Sequence, residues 1–331
     1  MGHRKGKAKR PRRGSMQYWP RVRARRIFPR VKSWPNTDET KLLGFGGYKA
    51  GMTHITYIDT KKTSPTYNQE VTIPVTVIET PPLRVLGLRF ITKTPYGKKV
   101  LKDVLVQDIS KYVSRTLNLP KKQKDFNKEL ESINMDDVSD IRLLVYTQPH
   151  LINLKKKPEV FEIAIGGDKE KALEYAKELV KKKEIKVQDV IKPGEQIDIL
   201  AVTKGKGTQG SIKRFGVKLE SKKSDRPRRR VATLGPEGQA KVMHTVPQFG
   251  QMGFHSRCDY NKWVLMVGSD DITPDGGFVN YGVLHGDYIV VKGSIPGPKK
   301  RFVRIRHAIR PNPKIPNQVP DIKYIHRGSQ Q

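Results

Sequence analysis

Closely spaced glycines near the middle of the chain form the motif that most resembles a cofactor site. Residues 205–210 read Gly-Lys-Gly-Thr-Gln-Gly, which matches the G-x-G-x-x-G fingerprint of dinucleotide binding, and Asp225 lies twenty residues after the first glycine. The context argues against a nucleotide, because Gly216 interrupts the stretch that should become a long helix and Asp225 lies within a basic run. Ser211 stands where a P-loop needs Lys. We therefore predict no cofactor and interpret the glycines as points where the backbone turns sharply and approaches a phosphate closely.

A few other side chains have the chemistry of metal ligands or of acid–base catalysts. His244, His255 and Cys258 carry donor atoms that zinc prefers, but their spacing fits no common zinc site and a fourth ligand is missing. Cys258 is the only cysteine, which excludes an intrachain disulfide and indicates a reducing compartment. Paired acids such as Asp270-Asp271 fall in loop-like sequence, where solvated turns are commoner than catalytic pairs. We predict neither a metal site nor an enzyme.

Lys and Arg are the charged side chains that this sequence has in excess. The 331 residues include 65 Lys and Arg against 32 Asp and Glu, a formal net charge of +33, which predicts a polyanionic partner. The charge is localised, since residues 1–35 contain thirteen Lys or Arg and no acid, and residues 201–262 contain fourteen against four acids. Residues 113–191, with sixteen basic and fourteen acidic residues, are typical of an ordinary protein surface. The sequence therefore predicts two binding segments.

The composition of these two segments favours RNA. Tyr18, Trp19 and Trp34 lie among the N-terminal cations and can stack on bases while Arg and Lys engage phosphates. Prolines break any helix in that segment, so we expect an extended chain that becomes ordered on its partner. In the central segment, the arginines of residues 226–230 are the strongest phosphate candidates, because a guanidinium group binds phosphate bidentately. We expect recognition of RNA shape and an affinity that falls steeply with salt.

Apolar patterns predict the elements that carry these segments. β-Branched and Gly-rich runs, with a turn at residues 95–97, predict antiparallel strands that form a small barrel, at residues 43–52, 71–78, 83–91, 99–106, 196–203, 263–267, 288–292 and 302–309. Between them, residues near 121 favour helix, and strands are predicted at 141–146 and 159–165. Asp168 is a plausible N-cap for a helix whose apolar residues repeat at three- and four-residue spacing. The fold class predicted is mainly β with an α+β insertion and long basic extensions.

These patterns divide the chain into seven predicted segments. They are an extended basic N-terminal tail (1–38), the first part of the β-barrel (39–112), the α+β insertion (113–191), a barrel strand with a Gly-rich turn (192–210), a long basic central loop (211–262), the last part of the barrel (263–310) and a C-terminal surface tail (311–331). No apolar run follows the basic N-terminus and none reaches eighteen residues, so we expect a cytoplasmic protein that neither is secreted nor spans a membrane.

Six motifs, in order along nearly the whole chain, resemble the universal ribosomal protein L3 family in its archaeal form. They are Gly-His-Arg-Lys at 2–5, Gly-Tyr-Lys-Ala-Gly-Met-Thr at 47–53, Val-Thr-Lys-Gly-Lys-Gly at 202–207, Lys-Arg-Phe-Gly at 213–216, Gly-Gln-Met-Gly-Phe-His-Ser-Arg at 250–257 and Val-Lys-Gly-Ser-Ile-Pro-Gly at 291–297. The resemblance implies a translation-factor-like β-barrel seated on 23S-type rRNA of the large subunit near its 3′ end. It also implies a tail at 2–32 and a loop at about 211–262 that extend toward the peptidyl-transferase centre, a role in early assembly, and ribosomal proteins L14 and L24e as neighbours.

The cations, aromatics and polar side chains of the two segments are the predicted rRNA contacts. They are Arg4, Lys5, Arg10, Arg12, Arg13, Trp19, Arg21, Arg23, Arg25, Arg26, Lys204, Lys206, Lys213, Arg214, Arg226, Arg228, Arg229, Arg230, Lys241, His244, Gln248, Gln251, His255 and Arg257. Aligning on Val242-Met243 places His244 at the loop tip, where eukaryotic relatives carry Trp. An imidazole can stack on a base or donate to a phosphate, and its charge varies near neutral pH. We expect the base of the central loop to bind RNA and the tip, at His244, to have a sensing role.

Two other classes of function fit part of the pattern. An RNA-processing or RNA-modifying enzyme would use the basic arms to dock its substrate and the Gly-rich loop to hold a nucleotide, and it would bind that nucleotide without RNA. A chromatin or DNA-compacting protein would bind duplex DNA and structured RNA comparably. Neither explains an extended basic loop that returns to the same barrel as well as a ribosomal protein does.

Overall fold

The computed structural model describes residues 12–120, 125–223, 225, 227–231, 233–235, 238 and 240–329. The predicted RNA ligands Arg4, Lys5, Arg10 and Arg226 lie outside the described residues. The chain divides into two compact units. The basic unit comprises Met1–Arg26 and Val202–Ser256, and the β unit comprises Ile27–Ala201 and Arg257–Gln331.

The described residues form fourteen strands and few helices. In chain order the strands are β1 (Gly44–Ile58), β2 (Glu70–Glu79), β3 (Leu83–Thr94), β4 (Gly97–Leu105), β5 (Asp140–Tyr146), β6 (Val160–Ala164), β7 (Glu184–Ile185), β8 (Gln196–Val202), β9 (Gly205–Gln209), β10 (Gly250–Gly253), β11 (Ser256–Gly268), β12 (Tyr288–Lys292), β13 (Phe302–His307) and β14 (Asp321–Ile325). The α-helices are α1 (Phe126–Glu131), α2 (Lys169–Lys182) and α3 (Ser211–Phe215), and 3₁₀ turns lie at Met16–Tyr18, Lys111–Arg115 and Val187–Asp189. Within the described part of the chain, no helix has the length and apolar character needed to cross a membrane.

The larger sheet of the β unit contains seven strands. Their order is β13-β8-β11-β12-β2-β1-β14, and β13 also pairs with β1, antiparallel, with Tyr48 opposite Phe302. Hydrogen bonding therefore runs from β1 through β2, β12, β11, β8 and β13 and back to β1. Every residue of β8 is buried, and residues such as Val77 and Val290 form the apolar core beside these strands. The β-branched runs predicted from the sequence are strands here, and the sheets are antiparallel.

A second sheet of five strands corrects one predicted boundary. Its order is β4-β3-β5-β6, and β7 pairs with β3, so β3 and β4 do not belong to the sheet of β1 and β2 as the segment 39–112 assumed. Pro81 and Pro82 separate β2 from β3 and offer no backbone N–H for pairing. Helix α2 packs against this sheet through its buried apolar stripe, Ala172, Ala176 and Leu179. The predicted helix therefore lies where its periodicity indicates, and Asp168 is its N-cap residue, although its side chain makes no capping hydrogen bond.

Both predicted tails are partly incorporated into the β unit. In the N-terminal tail, Val31 is only 2 % exposed and Phe28 packs edge-on against Phe302 at 5.4 Å. In the C-terminal tail, β14 pairs with β1, with Ile325 opposite Ile55, so part of this predicted surface tail is an edge strand of the sheet. The physical reason is burial, because the apolar residues of these short segments pack against the core of the β unit. In the sequence, the prolines around these segments had obscured their apolar pattern.

Candidate nucleic-acid interface

In the basic unit, a small hairpin-like pair of strands replaces part of the predicted loop. Strand β9 pairs with β10 antiparallel, with Gly250 opposite Gln209 and Gly253 opposite Gly205. Gly253 has φ +71°, and a Cβ at this position would lie 2.0 Å from the carbonyl oxygen of Lys204, so only glycine fits. Within the stretch 211–262 predicted as one long loop, α3 begins at 211, β10 pairs with β9, and β11 begins at 256, so part of that stretch has regular secondary structure.

Two predicted phosphate ligands, Arg21 and Arg214, bind the chain itself. Arg21 Nη1 donates to the carbonyl oxygen of Arg214 at 2.8 Å, and Arg214 Nη2 donates to that of Arg21 at 3.2 Å. Arg214 also donates to the carbonyl oxygens of Gln251 and Gln248, at 2.9 and 3.1 Å. Burial lowers the pKa of Arg214, but a guanidinium stays charged at neutral pH. These arginines therefore fasten the N-terminal residues to the central segment of the basic unit.

An aromatic cluster lies next to this fastening. Trp19 stacks on Phe215 with ring centroids 5.6 Å apart, and His244 meets Trp19 edge-on at 6.0 Å. The guanidinium carbon of Arg21 lies 4.3 Å from the centre of the Phe215 ring, and that of Arg214 lies 5.0 Å from it. Phe215 is buried, with only 6 % of its surface exposed. The indole of Trp19, which the sequence assigned to base stacking, therefore stacks on an internal ring. The sequence prediction missed Phe215, although it is part of the motif at 213–216.

A second set of contacts holds residues 22–24 to the strand end after β10. Ala24 N–H donates to the carbonyl oxygen of Phe254 at 2.8 Å, and the guanidinium of Arg23 lies 5.1 Å from the centre of the Phe254 ring. His255 Nδ1 lies 2.9 Å from the carbonyl oxygen of Val22, so this nitrogen carries the hydrogen and donates it. His255, a predicted rRNA contact, is half-buried and positions the backbone of residue 22.

The remaining predicted ligands of the basic unit are mostly exposed cations. Arg12 donates to the carbonyl oxygen of Thr245, and Arg228 Nε donates to that of Glu220 at 3.4 Å. Arg230 is half-buried, Gln248 is exposed and Gln251 donates to the carbonyl oxygen of Gly253 at 3.0 Å. Among these predicted ligands, the exposed side chains that make no hydrogen bond, ion pair or ring contact with any described residue are Arg13, Arg25, Arg26, Lys204, Lys206, Lys213, Arg229 and Lys241. These eight predicted ligands, together with the exposed Lys218, Lys222 and Lys223 of the same unit, are the cations available to a polyanion.

A hollow of about 260 Å³ lies beside the aromatic cluster. Its lining includes Trp19, Arg214, Met243, His244 and Phe249. Phe249 is 74 % exposed, and the indole N–H of Trp19 is buried without a hydrogen-bond partner among the described residues. A nucleobase can stack on an exposed aromatic ring and accept a hydrogen bond from an N–H group that has no other partner. The sequence prediction missed Phe249, which only its position between Gln248 and the motif at 250–257 could have indicated.

The β unit contains two further residues singled out in the sequence. Arg257 is half-buried at the start of β11. Cys258 is also half-buried, and its Sγ lies 3.7 Å from Arg306 Nη2. Burial raises the pKa of Cys258, which keeps the thiol protonated at neutral pH. Within the described ranges, no three His, Cys, Asp or Glu side chains come together as metal ligands.

Comparisons with known proteins show which family this sequence matches. The family model described as Ribosomal protein L3 matches residues 1–331. Relatives named large ribosomal subunit protein uL3 are similar over almost their whole length, 98 % of each relative and 97 % of this chain: 48 % identity over 328 residues in Archaeoglobus fulgidus, 46 % over 332 in Methanosphaera stadtmanae and 45 % over 331 in Methanothermobacter thermautotrophicus.

The family match and these relatives together define a ribosomal protein. Such proteins are structural rather than catalytic. The chain belongs to the ribosomal protein L3 family, as its six motifs indicated.

Proposed function

We propose that this chain is a structural constituent of the large ribosomal subunit in the cytoplasm and that its basic unit binds 23S-type rRNA near the 3′ end. The observation that carries the proposal is that eight of the predicted ligands in the basic unit are exposed cations without a partner among the described residues. Unpaired cations gain most from phosphate, because they lose no internal ion pair on binding. The names of the relatives support the choice of subunit.

Two groups of cations have different roles in this proposal. Arg21 and Arg214 use their guanidinium groups on backbone carbonyls, and they hold the N-terminal residues and the central segment together. Lys204, Lys206 and Lys213 extend from the same unit into solvent and neutralise phosphates. Because the first group orders the unit in advance, less conformational entropy is lost when the second group binds RNA.

Finer parts of the proposal concern the placement of the protein. The closed path of hydrogen-bonded strands, β1–β2–β12–β11–β8–β13, is the barrel that sits on rRNA. The N-terminal tail and the central loop extend toward the peptidyl-transferase centre, the protein acts early in subunit assembly, and ribosomal proteins L14 and L24e are its neighbours. The remaining segment boundaries given from the sequence are part of the same proposal.

His244 is proposed to contact RNA at the tip of the central loop. Its ring lies edge-on to Trp19, and it lines the hollow that holds the spare indole N–H. A base that entered this hollow would meet an imidazole, an indole and the exposed ring of Phe249. His244→Ala should therefore slow subunit assembly or peptide-bond formation, and unchanged rates of both would disprove a role for this side chain.

The salt dependence of rRNA binding tests the proposed function. A variant with Lys204, Lys206 and Lys213 changed to Gln should lower the slope of log affinity against log salt by about 2, at about 0.7 per phosphate contact on a single strand. The control changes Lys169, Lys177 and Lys181, exposed lysines of α2, to Gln and should leave the slope unchanged. A flat salt dependence of the unaltered protein would contradict the proposal, and so would tight binding of a nucleotide in the absence of RNA.

A further inference from the structure

A lysine-lined groove lies on the β unit, outside every residue predicted to bind RNA. One wall is the loop between β1 and β2, residues 59–69, and the other is the segment 311–318 that precedes β14. The groove has a volume of about 860 Å³. We propose that this lysine groove binds the phosphodiester backbone of rRNA as a second contact, an inference that rests on the proposed function for the nature of the partner.

The cations of the groove are available. Lys61, Lys62 and Lys314 line it, and none of their ammonium groups makes a hydrogen bond or an ion pair with a described residue. No lining residue carries a carboxylate. The acid next to this wall along the chain, Asp59, accepts hydrogen bonds from Thr66 Oγ1 at 2.7 Å and from Lys61 N at 3.0 Å, so its oxygens are already used within its own loop. Three unpaired ammonium groups without a facing carboxylate form a site for an anion.

Hydrogen bonds and apolar packing order the wall formed by residues 311–318. Gln196 Nε2 donates to the carbonyl oxygen of Asn312 at 3.0 Å, and Asn312 N donates to Gln196 Oε1 at 2.8 Å. Ile315 packs against the apolar core, and the prolines on either side of it restrict the backbone. None of these contacts uses the ammonium group of Lys314, so the wall is ordered while its cation stays available.

The opposite wall is ordered in the same way. Asp59 N donates to the carbonyl oxygen of Gln69 at 3.1 Å, and Asn68 N donates to that of Asp59 at 2.8 Å, which closes the base of the loop. Ser64 N donates to the carbonyl oxygen of Lys61 at 2.9 Å. A groove whose backbone is already ordered on both sides loses little entropy on binding beyond that of the lysine side chains.

The polar lining favours a nucleic-acid backbone over a protein segment. Thr60 and Thr63 supply hydroxyl groups, and Asn317 and Gln318 supply amides, which can bond both phosphate oxygens and the ribose 2′-hydroxyl. The lining contains no aromatic residue and, apart from two prolines, no apolar residue to serve as the anchor that protein interfaces use. Hydroxyls, amides and ammonium groups without an apolar anchor are typical of contacts to an RNA backbone.

Matched charge removal tests the groove. The groove variant carries Lys61→Gln, Lys62→Gln and Lys314→Gln, and the control carries Lys169→Gln, Lys177→Gln and Lys181→Gln on α2, so both lose three positive charges. Binding of the full-length protein to transcribed 23S-type rRNA is measured over a series of KCl concentrations. We expect the groove variant to lower the slope of log affinity against log salt by about 2 relative to the control, at about 0.7 per lost phosphate contact. Hydroxyl-radical footprinting should show a protected RNA stretch that the groove variant loses and the control keeps.

The outcomes separate this inference from the proposed function. If the groove variant and the control bind with the same slope and footprint, the lysine groove makes no RNA contact and the inference is wrong, even if an acidic protein segment uses the lysines instead. If the unaltered protein itself binds rRNA without salt dependence, the proposed function fails first. Thermal unfolding of the groove variant shows whether it has a folding defect. We expect its midpoint to match that of the control, because five of the six lysines are exposed and the half-buried Lys61 makes no side-chain hydrogen bond or ion pair with a described residue.

Discussion

Replacing Phe215 by Leu tests whether the aromatic cluster prepares the basic unit for RNA. The change keeps an apolar side chain and alters no charge, but it removes the ring on which Trp19 stacks at 5.6 Å. It also removes the ring face next to the guanidinium groups of Arg21 and Arg214, at 4.3 and 5.0 Å. The N-terminal residues of the basic unit then lose the ring contacts of one attachment to the central segment, whereas the hydrogen bonds between Arg21 and Arg214 remain. The other attachment, at Phe254 and His255, remains.

The size of the effect follows from the contacts that are lost. An aromatic pair contributes about 0.5–1.5 kcal/mol beyond its buried area, and a cation–π contact at a partly exposed site contributes about 0.5–1 kcal/mol. One aromatic pair and two cation–π contacts amount to about 1.5–3.5 kcal/mol, which corresponds to a factor of about 12 to 300 in an equilibrium constant. If the unit must be ordered to bind, rRNA affinity falls by this factor, because binding now has to supply the ordering free energy.

The assay compares dissociation constants for 23S-type rRNA at fixed salt. The control is Phe126→Leu, the same substitution at a half-buried position on α1 of the β unit, and it should bind as the unaltered protein does. Hydrogen exchange of the free protein supplies an independent measurement, and the amides of residues 14–26 should exchange faster only in the Phe215 variant. Equal affinities and equal exchange for the two variants would refute the view that the cluster orders the basic unit.

Three further predictions concern the stability of each unit. Asp198→Asn should lower the free energy of unfolding in urea by about 3–5 kcal/mol, because it removes the charge that pairs with the 4 % exposed Arg306 at 2.9 Å, and a cost below about 1 kcal/mol would contradict a buried ion pair. Gly253→Ala should speed hydrogen exchange across β9 and β10, since its Cβ would meet the carbonyl oxygen of Lys204, whereas exchange like that of the unaltered protein would show that the turn can relax. Burial raises the pKa of Tyr288 to about 12 from its ordinary 10.0, so the folded state keeps the phenol proton at a pH where the unfolded state has lost it. The free energy of unfolding should therefore fall between about pH 10 and 12. Tyr288→Phe should flatten this fall, and an unchanged pH profile would rule out Tyr288 as its source.

The sequence alone determined the features that depend on local pattern and on composition. Alternating and β-branched runs located most of the strands, since side chains of a strand point to opposite faces with a period of two. Helix α2 could be located from Asp168 and its three- and four-residue repeat, because that spacing places Ala172 and Ala176 on one face. The two concentrations of charge and the six motifs likewise needed no structure, and they led to the family that the comparisons show.

Tertiary structure alone decided which strands pair and which cations are available. The pattern of a strand specifies its buried face but not its neighbour, so the sequence could not show that β3 joins β5, or that β14 joins β1. It also counted Arg21 and Arg214 among the phosphate ligands, whereas the fold commits both to backbone carbonyls 193 residues apart along the chain. An arginine is a phosphate ligand only if the folded chain offers it no better acceptor, and that depends on contacts between distant residues. For the same reason the lysine groove, formed by two loops far apart in sequence, is visible only in the folded protein.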